Sequence, residues 1–145
     1  MVLQRDKPIR IWGRAEADNA VTVSFAGNSR TVTADSEGKW EVALAPMPAQ
    51  SSGQALTAKS AEETLVFEDV LVGDVWLCSG QSNMEWRLRG SRDADLEIPS
   101  SNSPGLRYLR IRPEGSPEPR ENFPREKRDG VWLQCNPETA GDCSG

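Results

Sequence analysis

A series of short alternating segments in the first 72 residues most constrains what this chain can fold into. Segments 9–12, 21–25 and 39–44 alternate apolar and polar side chains, and Gly, Asn, Ser or Asp residues separate them. Alternation with a period of two is expected when one face of a strand is buried and the other meets water. Similar segments lie at 30–34, 55–59 and 64–67. The pattern is typical of a β-sandwich or a barrel.

The pattern changes at residue 70 and indicates a second domain. Segment 70–78 is apolar on both faces apart from Gly73 and Asp74, as in a strand of a parallel α/β sheet. We therefore predict two domains, 1–72 and 73–145, of which the first is all-β. In the second, the sequence predicts a helix after Ser82, a helix at 92–98 ended by Pro99, a strand at 106–111, a loop at 112–128 and an apolar triplet at 131–133.

Composition excludes several classes of partner. The net charge is -5 and no long run of Lys and Arg is present, which disfavours nucleic acid. No apolar run is long enough for a membrane span or resembles a signal peptide. The three cysteines, Cys78, Cys135 and Cys143, fit no zinc spacing, and one of them stays unpaired in any disulfide scheme.

The segment 76–86 combines a predicted strand with a polar turn that presents Ser82. Small residues, Ser79 and Gly80, allow the sharp turn that a nucleophilic serine needs. Ser82 and Glu85 also have the spacing of a helix capping box, so a purely structural role for the serine stays open. The chain contains no histidine, the usual base for a serine nucleophile.

Other residues that could carry chemistry have structural alternatives. Trp86 is suited either to a sugar-binding cleft or to a core. Cys78 is expected to be a small buried residue. The acidic cluster at 93–97 is more typical of a solvated helix face than of a metal site. Core positions are predicted for three tryptophans: Trp12, Trp40 and Trp132.

The segment 73–86, with the sequence GDVWLCSGQSNMEW, closely resembles the signature of the sialate O-acetylesterase family of SGNH-type hydrolases. Segments 1–8, 11–13, 35–40 and 132–139 also resemble that family. The resemblance implies a mixed fold: an N-terminal β-sandwich, followed by the first strand, turn and helix of an incomplete flavodoxin-like α/β hydrolase domain. It also implies removal of O-acetyl groups from sialic acid or related acetylated sugars, without a metal or cofactor.

The resemblance also assigns roles to residues of the turn. Ser82 would be the nucleophile, and its backbone N–H would be one oxyanion donor. Gln81 and Asn83 would shape the turn and, with Trp86, contact the substrate. Secretion or a periplasmic location is also implied by the family.

Family members are several times longer than this chain, and their catalytic Asp and His lie on later segments. We therefore expect the chain to correspond to the N-terminal part of such an esterase, to need the missing hydrolase segments and to be inactive alone. We also expect 1–72 to be the more stable part. The alternative is a non-catalytic β-sandwich module that binds glycan or a partner domain.

Overall fold

Strands dominate the fold of this chain. The computed structural model describes residues 1–111, 115–119 and 130–144, which form two units, Met1–Val75 and Trp76–Gly145. The first unit contains strands only: β1 (Val2–Gln4), β2 (Ile9–Arg14), β3 (Ala20–Phe25), β4 (Asn28–Thr33), β5 (Lys39–Leu44), β6 (Gln50–Lys59) and β7 (Thr64–Gly73).

The strands of the first unit form two sheets. Five of them form one sheet in the order β1-β7-β6-β3-β4, in which β1 pairs with β7 in parallel and the other pairs are antiparallel. The other two, β2 and β5, pair antiparallel, with Ile9 opposite Leu44 and Arg14 opposite Lys39.

One apolar core joins the two sheets. Ile9, Trp40 and Leu44 come from the two-stranded sheet and are at most 8% exposed. They cluster with buried residues of the larger sheet, among them Val23 and Phe25. The predicted one-sided burial is confirmed at β3 and β5, where buried and more exposed residues alternate.

The strand predicted at 70–78 is wrong in its second half. In the structure β7 ends at Gly73, opposite Gln4 at the end of β1. Val70 and Val72 belong to the core, and Leu71 on the other face of the strand is also buried, which explains the run that is apolar on both faces. Residues 74–80 form neither helix nor strand, since the pairing with β1 ends at Gln4.

The second unit contains short elements. Among the described residues of this unit, the 3-10 helices are Ser82–Glu85, Leu88–Gly90 and Ala140–Asp142, and the α-helix is α1 (Ala94–Ser100). The strands β8 (Ser103–Leu109) and β9 (Trp132–Cys135) pair antiparallel. The strand predicted at 106–111 and the triplet at 131–133 are found with shifted bounds. The loop predicted at 112–128 lies outside the described residues except for 115–119, which form no helix or strand.

The helix predicted at 92–98 is found two residues later, and the prediction that Pro99 ends it is wrong. Pro99 lies inside α1, which continues to Ser100. The hydroxyls of Ser100 and Ser101 donate to the carbonyl oxygen of Glu97 at 3.0 and 2.8 Å. These side-chain bonds satisfy the Glu97 carbonyl, which the last turn leaves open because the N–H of Ser101 donates to Ile98 instead.

The tryptophan predictions are confirmed only in part. Trp40 is in the core, but Trp12 is 72% exposed and Trp132 is half-buried. Trp12 lies on the solvent face of β2 because its neighbours, Ile11 and Gly13, occupy the inner positions of the strand. In the part of the chain that the structure describes, no helix is long and apolar enough to cross a membrane.

Candidate functional site

The polar turn that presents Ser82 follows an extended, exposed segment. Residues 74–81 are exposed, and Gln81 has extended backbone angles, φ -99° and ψ -156°. The chain then turns into the 3-10 helix Ser82–Glu85, where the N–H of Met84 donates to the carbonyl oxygen of Gln81 at 2.8 Å. Ser82 is therefore the first helical residue.

Gly80 makes the tight turn possible. A Cβ atom at this position would lie 2.7 Å from Cγ of Met84, which is too short for a carbon–carbon contact. Met84 is half-buried, whereas Gln81, Ser82 and Asn83 are all exposed. Any larger residue in place of Gly80 would therefore clash with the side chain of Met84.

The polar groups of Ser82 are free of partners among the described residues. Its hydroxyl makes no hydrogen bond there, and its backbone N–H is one of the open donors of a helix start. The capping box predicted for Ser82 and Glu85 is wrong, because the residue before the helix is Gln81 and no side chain caps it. An exposed hydroxyl next to an open N–H can attack a carbonyl carbon and hold its oxygen, provided that a base is supplied.

Trp86 follows the turn and is 63% exposed, so it is not a core residue of the described structure. Its N–H donates to the carbonyl oxygen of Asn83 at 3.1 Å. Its indole lies over Gly90, where a Cβ atom would be 3.7 Å from Cε2 of the ring. The structure therefore leaves Trp86 available for contact, four residues after Ser82.

Two arginines that belong to no recognisable sequence motif hold the segment after the turn. Nη1 of Arg87 donates to Oδ1 of Asp142 at 3.2 Å, and Arg89 forms a second ion pair with the same carboxylate. The N–H of Leu88 donates to the carbonyl oxygen of Cys143 at 2.9 Å. More than fifty residues separate these partners in the sequence, and no local pattern indicates such a pairing.

The cysteines differ in their surroundings. Cys78 is exposed, so the prediction of a buried residue is wrong; the chain has already left the sheet at this point. Cys135 and Cys143 are half-buried, and all three are free thiols. Burial raises the pKa of the Cys143 thiol, and the neighbouring thiols of Cys135 and Cys78 raise it further. Within the described ranges, no group of three or more Cys, Asp or Glu residues is placed to hold a metal.

The chain is similar in sequence to several curated proteins that carry the same name. The chain is 32% identical to the sialate O-acetylesterase of Rattus norvegicus over 152 aligned residues, which cover 98% of the chain and 27% of the relative. It is 35% identical to the sialate O-acetylesterase of Homo sapiens over 77% of the chain and 23% of the relative. No protein-family model matches. The chain thus spans about a quarter of the length of the curated relatives it matches.

A solved structure is similar along the whole chain. The crystal structure of a carbohydrate acetylesterase from Xanthomonas citri superimposes with a TM-score of 0.92 and 36% sequence identity. The match covers 99% of this chain and 32% of that one. Both the sequence and the backbone are therefore similar to about a third or less of a longer protein.

Proposed function

We propose that this chain, which is sialate O-acetylesterase-like in sequence and fold, is part of a carbohydrate esterase that removes O-acetyl groups from sialic acid or related sugars. The relatives named above are sialate O-acetylesterases and a carbohydrate acetylesterase, and the similarity extends over nearly the whole chain. In this proposal residues 1–72 are a β-sandwich and residues 73–145 are the first part of an SGNH-type, flavodoxin-like hydrolase domain. The expected location, outside the cytoplasm, is part of the same proposal.

Ser82 is the nucleophile in the proposed mechanism. Its Oγ attacks the acetyl carbonyl carbon while a base accepts the hydroxyl proton. The C–O bond to the sugar then breaks, the sugar oxygen takes up the proton, and the acetyl group stays on Ser82. Water, deprotonated by the same base, hydrolyses this ester and releases acetate. No metal or other cofactor takes part.

The exposure of Ser82 carries this assignment. Its hydroxyl and its N–H are both unengaged within the described residues, at the first position of a 3-10 helix. The N–H would donate to the oxyanion of the tetrahedral intermediate, a contribution of about 10²–10³ in rate for a single donor. Gln81 and Asn83 flank the nucleophile, and the exposed indole of Trp86 offers an apolar surface to a sugar ring.

The chain alone is proposed to be inactive. It contains no histidine to accept the proton of Ser82, so a general base has to come from another polypeptide segment. This segment would also supply the remaining oxyanion donors. Activity therefore requires a partner segment, and the direct test is to supply the missing hydrolase segments from a relative.

The test uses a chimera in which this chain replaces the matched third of the Xanthomonas citri carbohydrate acetylesterase. We expect the chimera to release acetate from O-acetylated sialic acid, and the chain by itself to release none above background. Ser82→Ala should abolish release, with a loss of at least about 10³-fold.

Two residues of the same exposed segment provide matched controls. Ser79→Ala removes another hydroxyl, and Cys78→Ser removes the exposed thiol that could act as an alternative nucleophile. Both variants should keep activity within about threefold of the parent chimera. Activity that survives Ser82→Ala, or that is lost in Cys78→Ser, would contradict the assignment.

A further inference from the structure

The solvent face of the β2–β5 sheet carries an exposed tryptophan among charged side chains. Trp12 is 72% exposed although it lies in the middle of a regular strand. We call this surface the Trp12 face. Its members are the residues whose side chains alternate outward on the two paired strands: Arg10, Trp12, Arg14, Lys39, Glu41 and Ala43.

The backbone below Trp12 is held firmly in place. The next residue, Gly13, contacts the core so closely that a Cβ atom there would lie 2.7 Å from Cζ2 of Trp40. Trp40 itself is only 8% exposed. The strand cannot rotate Trp12 inward without expelling Trp40 from the core, so the indole stays on the surface.

Arg10 makes a two-pronged ion pair on the Trp12 face with Glu41, the residue opposite Trp12. Its Nε and Nη2 atoms donate to the two carboxylate oxygens of Glu41 at 2.7 and 2.8 Å. A guanidinium has five N–H groups, so three of those of Arg10 are not used by Glu41. The side chain lies two residues from Trp12 on the same face of the strand. It therefore presents oriented donors next to an apolar ring.

We propose that the Trp12 face is a binding site for an acidic sugar. The apolar C–H face of a pyranose ring packs on the indole, and the sugar carboxylate accepts hydrogen bonds from the remaining N–H groups of Arg10. Arg14 adds positive charge at the other end of the face and favours an anionic ligand, whereas the charge of Lys39 is balanced by an ion pair of its Nζ with Glu37 at 2.7 Å. The choice of a sugar rests on the proposed function, and the site is separate in sequence from the Ser82 turn.

The chemistry of the face favours a sugar over a second protein. Its apolar surface is essentially one indole, surrounded by four charged side chains, and Ala43 adds little. Stable protein interfaces bury about 800 Å² on each partner around an apolar centre, far more than one indole supplies. One or two sugar rings match the size of the indole, and the flanking cations select those with a carboxylate.

The test is a titration of the full isotope-labelled chain with 3′-sialyllactose, followed by nuclear magnetic resonance. We expect saturable shifts at the indole N–H of Trp12 and along β2 and β5, with a Kd of about 1 mM. The methyl ester of 3′-sialyllactose, which keeps every sugar ring but not the negative carboxylate, should bind at least about tenfold more weakly.

Three variants and a control separate the contributions. Trp12→Ala should abolish the shifts on β2 and β5, and Trp12→Phe should keep part of the affinity because it retains a ring. Arg10→Gln should remove the preference for 3′-sialyllactose over its methyl ester, whereas Arg30→Gln, which removes an exposed arginine of β4, should not. Circular dichroism confirms that each variant is folded.

The outcomes are independent of the proposed esterase activity. Binding is measured without turnover, and Ser82→Ala should give the same shifts on β2 and β5 as the parent chain. Absence of saturable shifts at Trp12, or equal shifts in Trp12→Ala, would overturn the proposal. Shifts of the Trp12 signal with protein concentration alone would also overturn it, since they would indicate self-association through this face.

Discussion

Replacing Gly13 with alanine tests the packing that fixes the two-stranded sheet against the core. Gly13 lies on β2 opposite Trp40 on β5. An alanine Cβ there would lie 2.7 Å from Cζ2, 3.0 Å from Cε2 and 3.3 Å from Nε1 of the Trp40 indole. These atoms belong to a rigid, buried ring, so relief requires a shift of the whole side chain or of the strand.

The expected loss of stability follows from two opposing effects. Overpacking a well-filled core typically costs about 1–3 kcal/mol. Replacing glycine also restricts the unfolded chain, which returns about 0.4–1 kcal/mol. The steric effect is the larger of the two, because the contact involves three atoms of a side chain that cannot bend away. We therefore expect Gly13→Ala to lower the free energy of unfolding by about 1.5 kcal/mol.

Urea unfolding followed by far-ultraviolet circular dichroism measures this free energy. Gly73→Ala is the matched control, because a Cβ there would meet Cγ1 of Val2 at an ordinary 3.5 Å. Without a steric cost, it should raise the free energy of unfolding by about 0.4–1 kcal/mol. In a Trp40→Phe background the ring is smaller, and Gly13→Ala should cost less by at least about 0.5 kcal/mol. Equal effects of the two glycine substitutions, or an unchanged cost in the Trp40→Phe background, would refute the steric reasoning.

Two further predictions follow from the titrating groups. At neutral pH iodoacetamide should label exposed Cys78 at least about tenfold faster than Cys143, because burial raises the pKa of the Cys143 thiol and lowers its thiolate fraction. Mass spectrometry of the labelled peptides measures both rates, and equal rates would contradict this expectation. Glu16 raises the pKa of the Glu62 carboxyl by charge repulsion, so the folded state becomes less stable as pH rises through that raised pKa. Glu62→Gln should therefore raise the thermal midpoint at neutral pH but not near pH 3, and equal shifts at both would refute the repulsion.

The strands of the first unit were largely predictable because burial of one face produces an alternation of apolar and polar residues in the sequence. At β3 and β5 the alternation matches the burial pattern residue by residue. The sequence indicates much less clearly which strands pair with each other. The short strand β1 was not predicted, although its parallel pairing with β7 decides that the strand ends at Gly73. The apolar residues that follow, such as Trp76 and Leu77, prolonged the predicted strand but are 85% and 90% exposed.

In the candidate site, too, local structure could be predicted but contacts between remote segments could not. The turn around Ser82 could be predicted because Gly80 and its polar neighbours determine the backbone locally. The ion pair of Arg87 with Asp142 could not be predicted, since it joins segments that are remote in the sequence. The exposure of Trp12 was missed for a third reason: hydrophobicity favours the core for any tryptophan, and only strand register decides which face it occupies.

The two units differ in how much apolar surface they bury. Thirteen of the fourteen buried hydrophobic residues in the described part of the chain lie in Met1–Val75, and only Ala140 lies in the second unit. Burial of apolar surface is the main favourable contribution to folding, so the second unit gains little of it from its own described residues. Catalytic groups need positions fixed to within about 0.5 Å, which requires packed supporting residues. The turn around Ser82 rests on backbone bonds and on the carboxylate of Asp142 rather than on such a core. This difference supports the proposal that Ser82 becomes an effective nucleophile only when further hydrolase segments pack against its unit.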